Sequence, residues 1–143
     1  MPSVTGTFSG KITQESALSP TDQPNHQLSL GEVRGTHQST DPLWDKADLT
    51  YWGVTDIVDG NGKQHGYYAS VHGDKGRDWG TFEGQVNTAG GVTTIEGTWK
   101  TAGGDGEYRG MTGDGKFKIV MKSETELECN WEGTYELARA QTG

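Results

Sequence analysis

The sequence predicts an all-β protein: a single domain, residues 1–143, folded as an eight-stranded antiparallel up-and-down barrel. Three observations predict it. Apolar and polar residues alternate with period two along most of the chain, the signature of strands with one buried face. From Ala47 onward, glycine-centred turns separate runs of about ten residues, the pattern of successive hairpins. Glycine itself is abundant, 23 of 143 residues, more than twice the usual ~7%. It recurs in the triplet Gly-Thr-aromatic, at Gly6-Thr7-Phe8, Gly80-Thr81-Phe82, Gly97-Thr98-Trp99 and Gly133-Thr134-Tyr135. Glycine and ring are two residues apart and so share one sheet face. A glycine there lets a facing ring lie against the backbone, or lets the sheet bend. Eight such strands remove their edges by closing on themselves.

Each element follows in chain order. Val4, Gly6, Phe8, Gly10 and Ile12 alternate with Thr5, Thr7, Ser9 and Lys11 in the first strand. Residues 16–24, with Pro20 and Pro24, are expected to loop, because proline cannot donate to a ladder. A weaker strand spans His26–Gln38, and residues 36–46, with Pro42 and Trp44, form a second loop. The meander then begins. Ala47–Asp59 turns at Gly60-Asn61-Gly62 into Lys63–His72, which turns at residues 73–76 into Arg77–Thr88. Ala89-Gly90-Gly91 leads to Val92–Thr101, a glycine-rich stretch runs to Gly115, and Lys116–Lys122 and Glu126–Ala138 complete the set. The tail Leu137–Gln141 is compatible with helix but too short to form one.

Composition excludes several classes. Leu, Ile, Val and Phe are scarce and the net charge is -8, a balance typical of disordered chains, but 13 aromatic residues recur in strand-like runs. No apolar run approaches the ~20 residues of a membrane span. An excess of 20 acidic over 12 basic residues disfavours nucleic acid as a partner. Cys129 is alone, so no internal disulfide can form. Met1-Pro2-Ser3-Val4-Thr5 shows no basic region followed by an apolar core, and a cytoplasmic protein is expected.

Residues 103–113, Gly-Gly-Asp-Gly-Glu-Tyr-Arg-Gly-Met-Thr-Gly, precede a strand. The stretch resembles the GGxGxYxGxxG segment of barrels in the allene oxide cyclase and dirigent superfamily, a calycin-like fold. Glu96-Gly97-Thr98-Trp99 and Trp131-Glu132-Gly133-Thr134-Tyr135 are similar in style. The resemblance implies a barrel whose members include cyclases, stereochemical guides and proteins with no known reaction. It also implies self-association, for which outward-facing Trp52 and Trp79 would serve. Within the motif, Gly104 and Gly106 are expected to need a positive φ.

The face marked by glycine and apolar alternation is the expected interior. It carries Phe8, Tyr51, Phe82, Ile95, Trp99, Phe117, Ile119, Met121, Cys129, Trp131 and Tyr135. In the fourth strand glycine placement selects Gly66, Tyr68, Ser70 and His72; the opposite register, with His65, Tyr67, Ala69 and Val71, is nearly as apolar. If Leu28 and Leu30 face inward, Glu32 and Arg34 follow them. Those charges then lie solvated at a barrel mouth, or Glu32 is an acid or base whose pKa is raised by an apolar cavity. The four histidines show no chelating spacing, so no metal or other cofactor is expected. Cys129 has no adjacent cation and fits a small core residue. Trp44, Trp52 and Trp79 could instead form an external sugar-stacking platform.

Two functions fit these residues. One is a cofactor-independent cyclase or isomerase for a small hydrophobic substrate. Tyr51 would bond a substrate oxygen, Glu32 or His72 would move a proton, and Tyr68, Phe82, Trp99, Met121, Trp131 and Tyr135 would bind the ligand. The other is a non-catalytic, lipocalin-like binding barrel.

Overall fold

The structure is a computed structural model and describes residues 3–137. Eight strands follow one another: β1 (Ser3–Leu18), β2 (His26–Ser39), β3 (Asp48–Val58), β4 (Asn61–Val71), β5 (Arg77–Ala89), β6 (Val92–Gly104), β7 (Thr112–Met121) and β8 (Glu126–Glu136). Each pairs antiparallel with its neighbour, and β1 also pairs with β8, which closes the barrel. Single 3-10 turns occupy Gly73–Lys75 and Gly106–Tyr108. Among the described residues no helix is long and apolar enough to cross a membrane. The tail residues 138–141 lie outside the described residues.

Alternation places the interior. In β5, Asp78, Gly80, Phe82 and Val86 are buried or half-buried while Arg77, Trp79, Thr81 and Glu83 face out. The fourth strand takes the register selected by its glycine: Gln64, Gly66 and Ser70 are buried, and Tyr67 is 65% exposed. Glycines on the inner face make room for rings. A Cβ at Gly133 would stand 2.5 Å from the Trp99 ring, and one at Gly6 would stand 2.6 Å from Trp131 Cε2. Two indoles are thus seated against the wall instead of filling the lumen.

Two elements depart from the expected layout. β1 runs on to Leu18, past the point where a loop is predicted, because residues 15–18 pair with residues 28–31. This ribbon is solvated on both sides, with Leu18 74% and Leu30 53% exposed. In β2 the inner face is carried by Val33 and His37, which are buried, with Gly35 between them. Leu28 and Leu30 are on the other phase, so Glu32 and Arg34 lie on the outer wall.

The barrel's ends differ. One is closed by the β2–β3 loop, the β4–β5 turn and the β6–β7 connection, which together bury Trp44, His72, Tyr108 and Met111. Tyr108 is fully buried and its hydroxyl donates to the Leu43 carbonyl. Arg77 and Asp105 tie the closing segments together, with Nη2 2.7 Å from Oδ2. Gly106 adopts φ +59°, and a Cβ there would strike the Lys75 carbonyl oxygen. Replacing Gly106 by Val is therefore expected to destabilise the fold by at least ~1 kcal/mol; an unchanged urea midpoint would contradict this. Gly104 is not in the positive-φ region. Its constraint is proximity instead, since a Cβ would meet the Tyr108 carbonyl.

At the opposite end, His26 sits between Asp22 and Asp56, 2.6 Å from each. It fastens the β1–β2 connection to β3. The hydrogen bond to Asp22, then that to Asp56, raises the His26 pKa. A raised histidine pKa gives stability that is full below the unfolded value of ~6.5 and is lost as pH climbs through the folded value. The stability advantage of the wild type over His26→Gln should therefore be larger near pH ~6 than near pH ~9. Urea midpoints of both proteins at the two pH values check this, and an advantage that grows with pH would refute it.

Candidate ligand-binding cavity

Beneath the closed end lies an interior cavity of about 90 Å³. All eight strands contribute to its wall: Phe8 from β1, His37 from β2, Tyr51 from β3, Tyr68 and Ser70 from β4, Phe82 from β5, Trp99 from β6, Phe117 and Ile119 from β7, and Cys129 and Trp131 from β8. Trp44 from the β2–β3 loop also lines it. The rings meet mostly edge to face. Tyr51 and Phe82 have centroids 5.3 Å apart at 80°, and His37 and Trp131 5.0 Å apart at 69°. Such packing is favoured by the ring quadrupoles and holds the wall rigid.

The polar groups on this wall are kept neutral by burial. Desolvation, reinforced by nearby His72, pulls the His37 pKa down to about 4, so the ring is uncharged at neutral pH. Burial raises the phenols of Tyr51 and Tyr68 above their ordinary range. It pushes Cys129 up to about 12, which makes it a thiol, not a nucleophilic thiolate. Tyr68 Oη lies 3.3 Å from Thr101 Oγ1. His37 Nδ1 and Trp131 Nε1 are buried with no hydrogen-bond partner among the described residues.

Of the residues singled out from sequence, Tyr51, Tyr68, Phe82, Trp99 and Trp131 line the cavity. Four others do not. Glu32 stands on the outer wall, where Thr13 Oγ1 donates to it at 2.8 Å and Trp52 Nε1 at 2.9 Å. Those hydrogen bonds lower its pKa, the reverse of the expected rise. His72 does face inward, but its Nε2 is 2.5 Å from Asp78 Oδ1, behind the Trp44 ring. Tyr135 belongs to the closed end and donates to Asp41 Oδ2 at 2.7 Å. Met121 is half-buried at the last residue of β7, paired with Leu127 and near the turn into β8. Trp44 is no external platform: it is 4% exposed and surrounded by Tyr108, Trp131 and Tyr135. Trp52 and Trp79 remain on the outside.

His37 and Asp78 are among the inward residues that the sequence pattern does not single out. Asp78 is in phase with Gly80 and Phe82, and Ser70 is its cross-strand partner. Phase therefore held the signal for Asp78, and only its charge argued against the interior.

A second, larger groove of about 1040 Å³ crosses the outer wall, lined by Thr5, Thr7, Gln38, Lys116, Lys118 and Glu132 among others. Its long charged side chains are solvated, so it offers less discrimination than the interior. Among the described residues no three of His, Cys, Asp or Glu gather as metal ligands. Comparison of the sequence with protein-family models and with curated proteins finds no match.

Proposed function

We propose that the barrel binds a compact, largely apolar small molecule in its interior, as a non-catalytic, lipocalin-like binding protein. The observation that carries this reading is the 90 Å³ cavity, walled by aromatic side chains from every strand and holding no ionised group. Such a site excludes water-loving molecules and stabilises apolar ones by removing them from water. Size narrows the choice. An apolar cavity of ~150 Å³ accommodates the six carbons of benzene, so one of about 90 Å³ suits a ligand of about three or four non-hydrogen atoms.

A cyclase or isomerase is the second reading. It is favoured by neutral His37, which shares the wall with Tyr51: a proton acceptor and a phenolic donor at one cavity. The resemblance to allene oxide cyclase and dirigent barrels supports either reading. The binding reading is preferred on two grounds. Glu32 and His72 are not on the cavity wall, and a chain long enough to close into a ring exceeds the space.

Xenon tests the proposal directly, because a small apolar cavity takes it up without a specific contact. Under xenon pressure, amide and indole NMR shifts should concentrate on the cavity wall, including the Trp99 and Trp131 indoles. Cys129→Met, which fills the space, should reduce them severalfold. Shifts absent from the wall would overturn the proposal. Recovery of a bound ligand chemically changed would transfer the case to the enzyme reading.

A further inference from the structure

The outer wall of the barrel gathers its apolar residues onto one face. Seven of the eight large hydrophobic residues that stand exposed among the described residues lie on a single stretch of it, from the β1–β2 ribbon across β3 and β4 to β5; only Val92 is elsewhere. The pairing register joins them into a diagonal band. Leu18 stands opposite Leu28. Two residues along β2, and so on the same face, Leu30 stands opposite Val54. The next row pairs Trp52 with Tyr67, and the one after it Ala69 with Trp79. Val71, two residues beyond Ala69, ends the band beside Arg77. Each paired row moves one strand across, and neighbouring rows share a strand. The two indoles are held in place before anything docks. Trp52 Nε1 donates to Glu32 at 2.9 Å. Trp79 rests its Nε1 edge on Gly103, where a Cβ would stand 2.9 Å away, and the Arg77 guanidinium is 5.9 Å from its ring centroid. Rings fixed in this way lose little rotamer freedom on docking.

Area and charge decide what covers the band. Its seven exposed members keep between 37% and 74% of their surface open. At about 200 Å² for a whole aromatic side chain, and less for Leu or Val, that leaves roughly 600 Å² of apolar surface. The largest patch on a monomer is about 300–600 Å², and a standard protein interface takes about 800 Å² from each partner. The band and its polar neighbours together meet that need. The face is also nearly neutral. Arg34, Lys63 and Arg77 stand on it with Glu32, Asp48, Asp56 and Glu83, although the whole chain carries a net charge of -8. Two copies of so acidic a chain repel one another least through this face. A bilayer would have to desolvate the four carboxylates along with the apolar residues. A sugar would stack on the rings and leave Leu18, Leu30, Val54 and Val71 uncovered. We propose that a second copy of this chain covers the band, in a two-fold dimer that packs band against band.

The test is the mass of the full-length protein by light scattering at about 100 µM. The expected mass is that of two copies, and any other overturns the proposal. Val54→Lys and Tyr67→Lys place cations in the middle of the band, and each should raise the dimer Kd, read by sedimentation velocity, at least about tenfold. Val92→Lys puts the same charge on the exposed hydrophobic residue outside the band and should leave the dimer unchanged. A dimer that withstands either band variant, or that Val92→Lys weakens as much, overturns the proposal. The wild type also locates the interface without any substitution, should a variant fail to fold. On dilution the Trp52 and Trp79 indole NMR signals should shift while those of Trp99 and Trp131 stay fixed, and the reverse pattern would overturn the proposal. If the mass is that of a single chain, the proposal falls. Co-sedimentation with phosphatidylcholine vesicles, or gel retardation by soluble β-glucan, then shows whether lipid or sugar takes the band instead.

Discussion

Trp44→Ala is expected to destabilise the barrel by about 3–5 kcal/mol, the range for truncating a large buried aromatic side chain. Trp44 belongs to a loop, yet it is 4% exposed. Its ring stands 5.3 Å from His72, 5.7 Å from Trp131 and 5.4 Å from Tyr135, centroid to centroid. The loop is held in place to present it. The Trp44 backbone N–H donates to the Asp41 carbonyl at 2.9 Å, and the Asp41 carboxylate accepts from both the Leu43 backbone N–H and the Tyr135 hydroxyl. Truncation would leave a void that joins the existing cavity, and closed-end residues that now pack on the indole would lose their partner. A void of that size relaxes only partly, which is why the cost exceeds the simple transfer term. Trp44→Phe should recover most of the loss. Urea unfolding followed by far-UV circular dichroism checks both variants, and a loss below ~1 kcal/mol for alanine would show that the loop does not close the barrel.

The contrast between Trp44 and the strand residues explains what the sequence could disclose. From β3 to β8, one buried and one solvated face leave a period-two record, and glycine-centred turns mark most of the intervals. Strand order and inner face are therefore legible there, including the choice of Tyr68 over Tyr67. β2 hides its phase. Its inner face is Val33, Gly35 and His37, of which only Val33 is apolar by composition. Leu28 and Leu30 lie on a ribbon that projects beyond the closed wall, where neither face is buried. Hydropathy then points to the wrong face, and a one-residue error in phase inverts the strand. That single inversion carried Glu32 inward and left His37 unnoticed. The β1–β2 irregularity between Ile12 and Gln14 adds to the difficulty, because it breaks the alternation within β1 itself. Loops carry no period at all. Residues in them are exposed by default, and nothing local shows that the Trp44 indole will be captured by residues up to 91 positions away.

Asp78→Ala is the substitution expected to come next after Trp44→Ala, at about 1–3 kcal/mol, because it leaves the buried His72 Nε2 without its hydrogen-bond partner. Asp78 is fully buried, and the side chain of His72 is 2% exposed. The imidazole is stacked on Tyr108, with centroids 4.0 Å apart and planes at 22°, so it cannot swing away to find water without moving the closed end. Asp78→Asn keeps the shape and a hydrogen-bonding group and should cost about 1 kcal/mol, the net value of one such bond. The pair also sets a pH dependence. Burial raises the Asp78 pKa, and the hydrogen bond from His72 opposes that rise without cancelling it. A carboxyl group with a raised folded pKa contributes stability that is full below its unfolded value of ~3.9 and falls as pH climbs through the folded value. The margin by which the wild type exceeds Asp78→Asn should accordingly be larger near pH ~4 than near pH ~7, because the fold favours the protonated acid. Urea midpoints of the two proteins at both pH values measure it. A margin that widens toward neutrality would mean that the buried carboxyl is held as an ion and that the closed end is locked by a true ion pair.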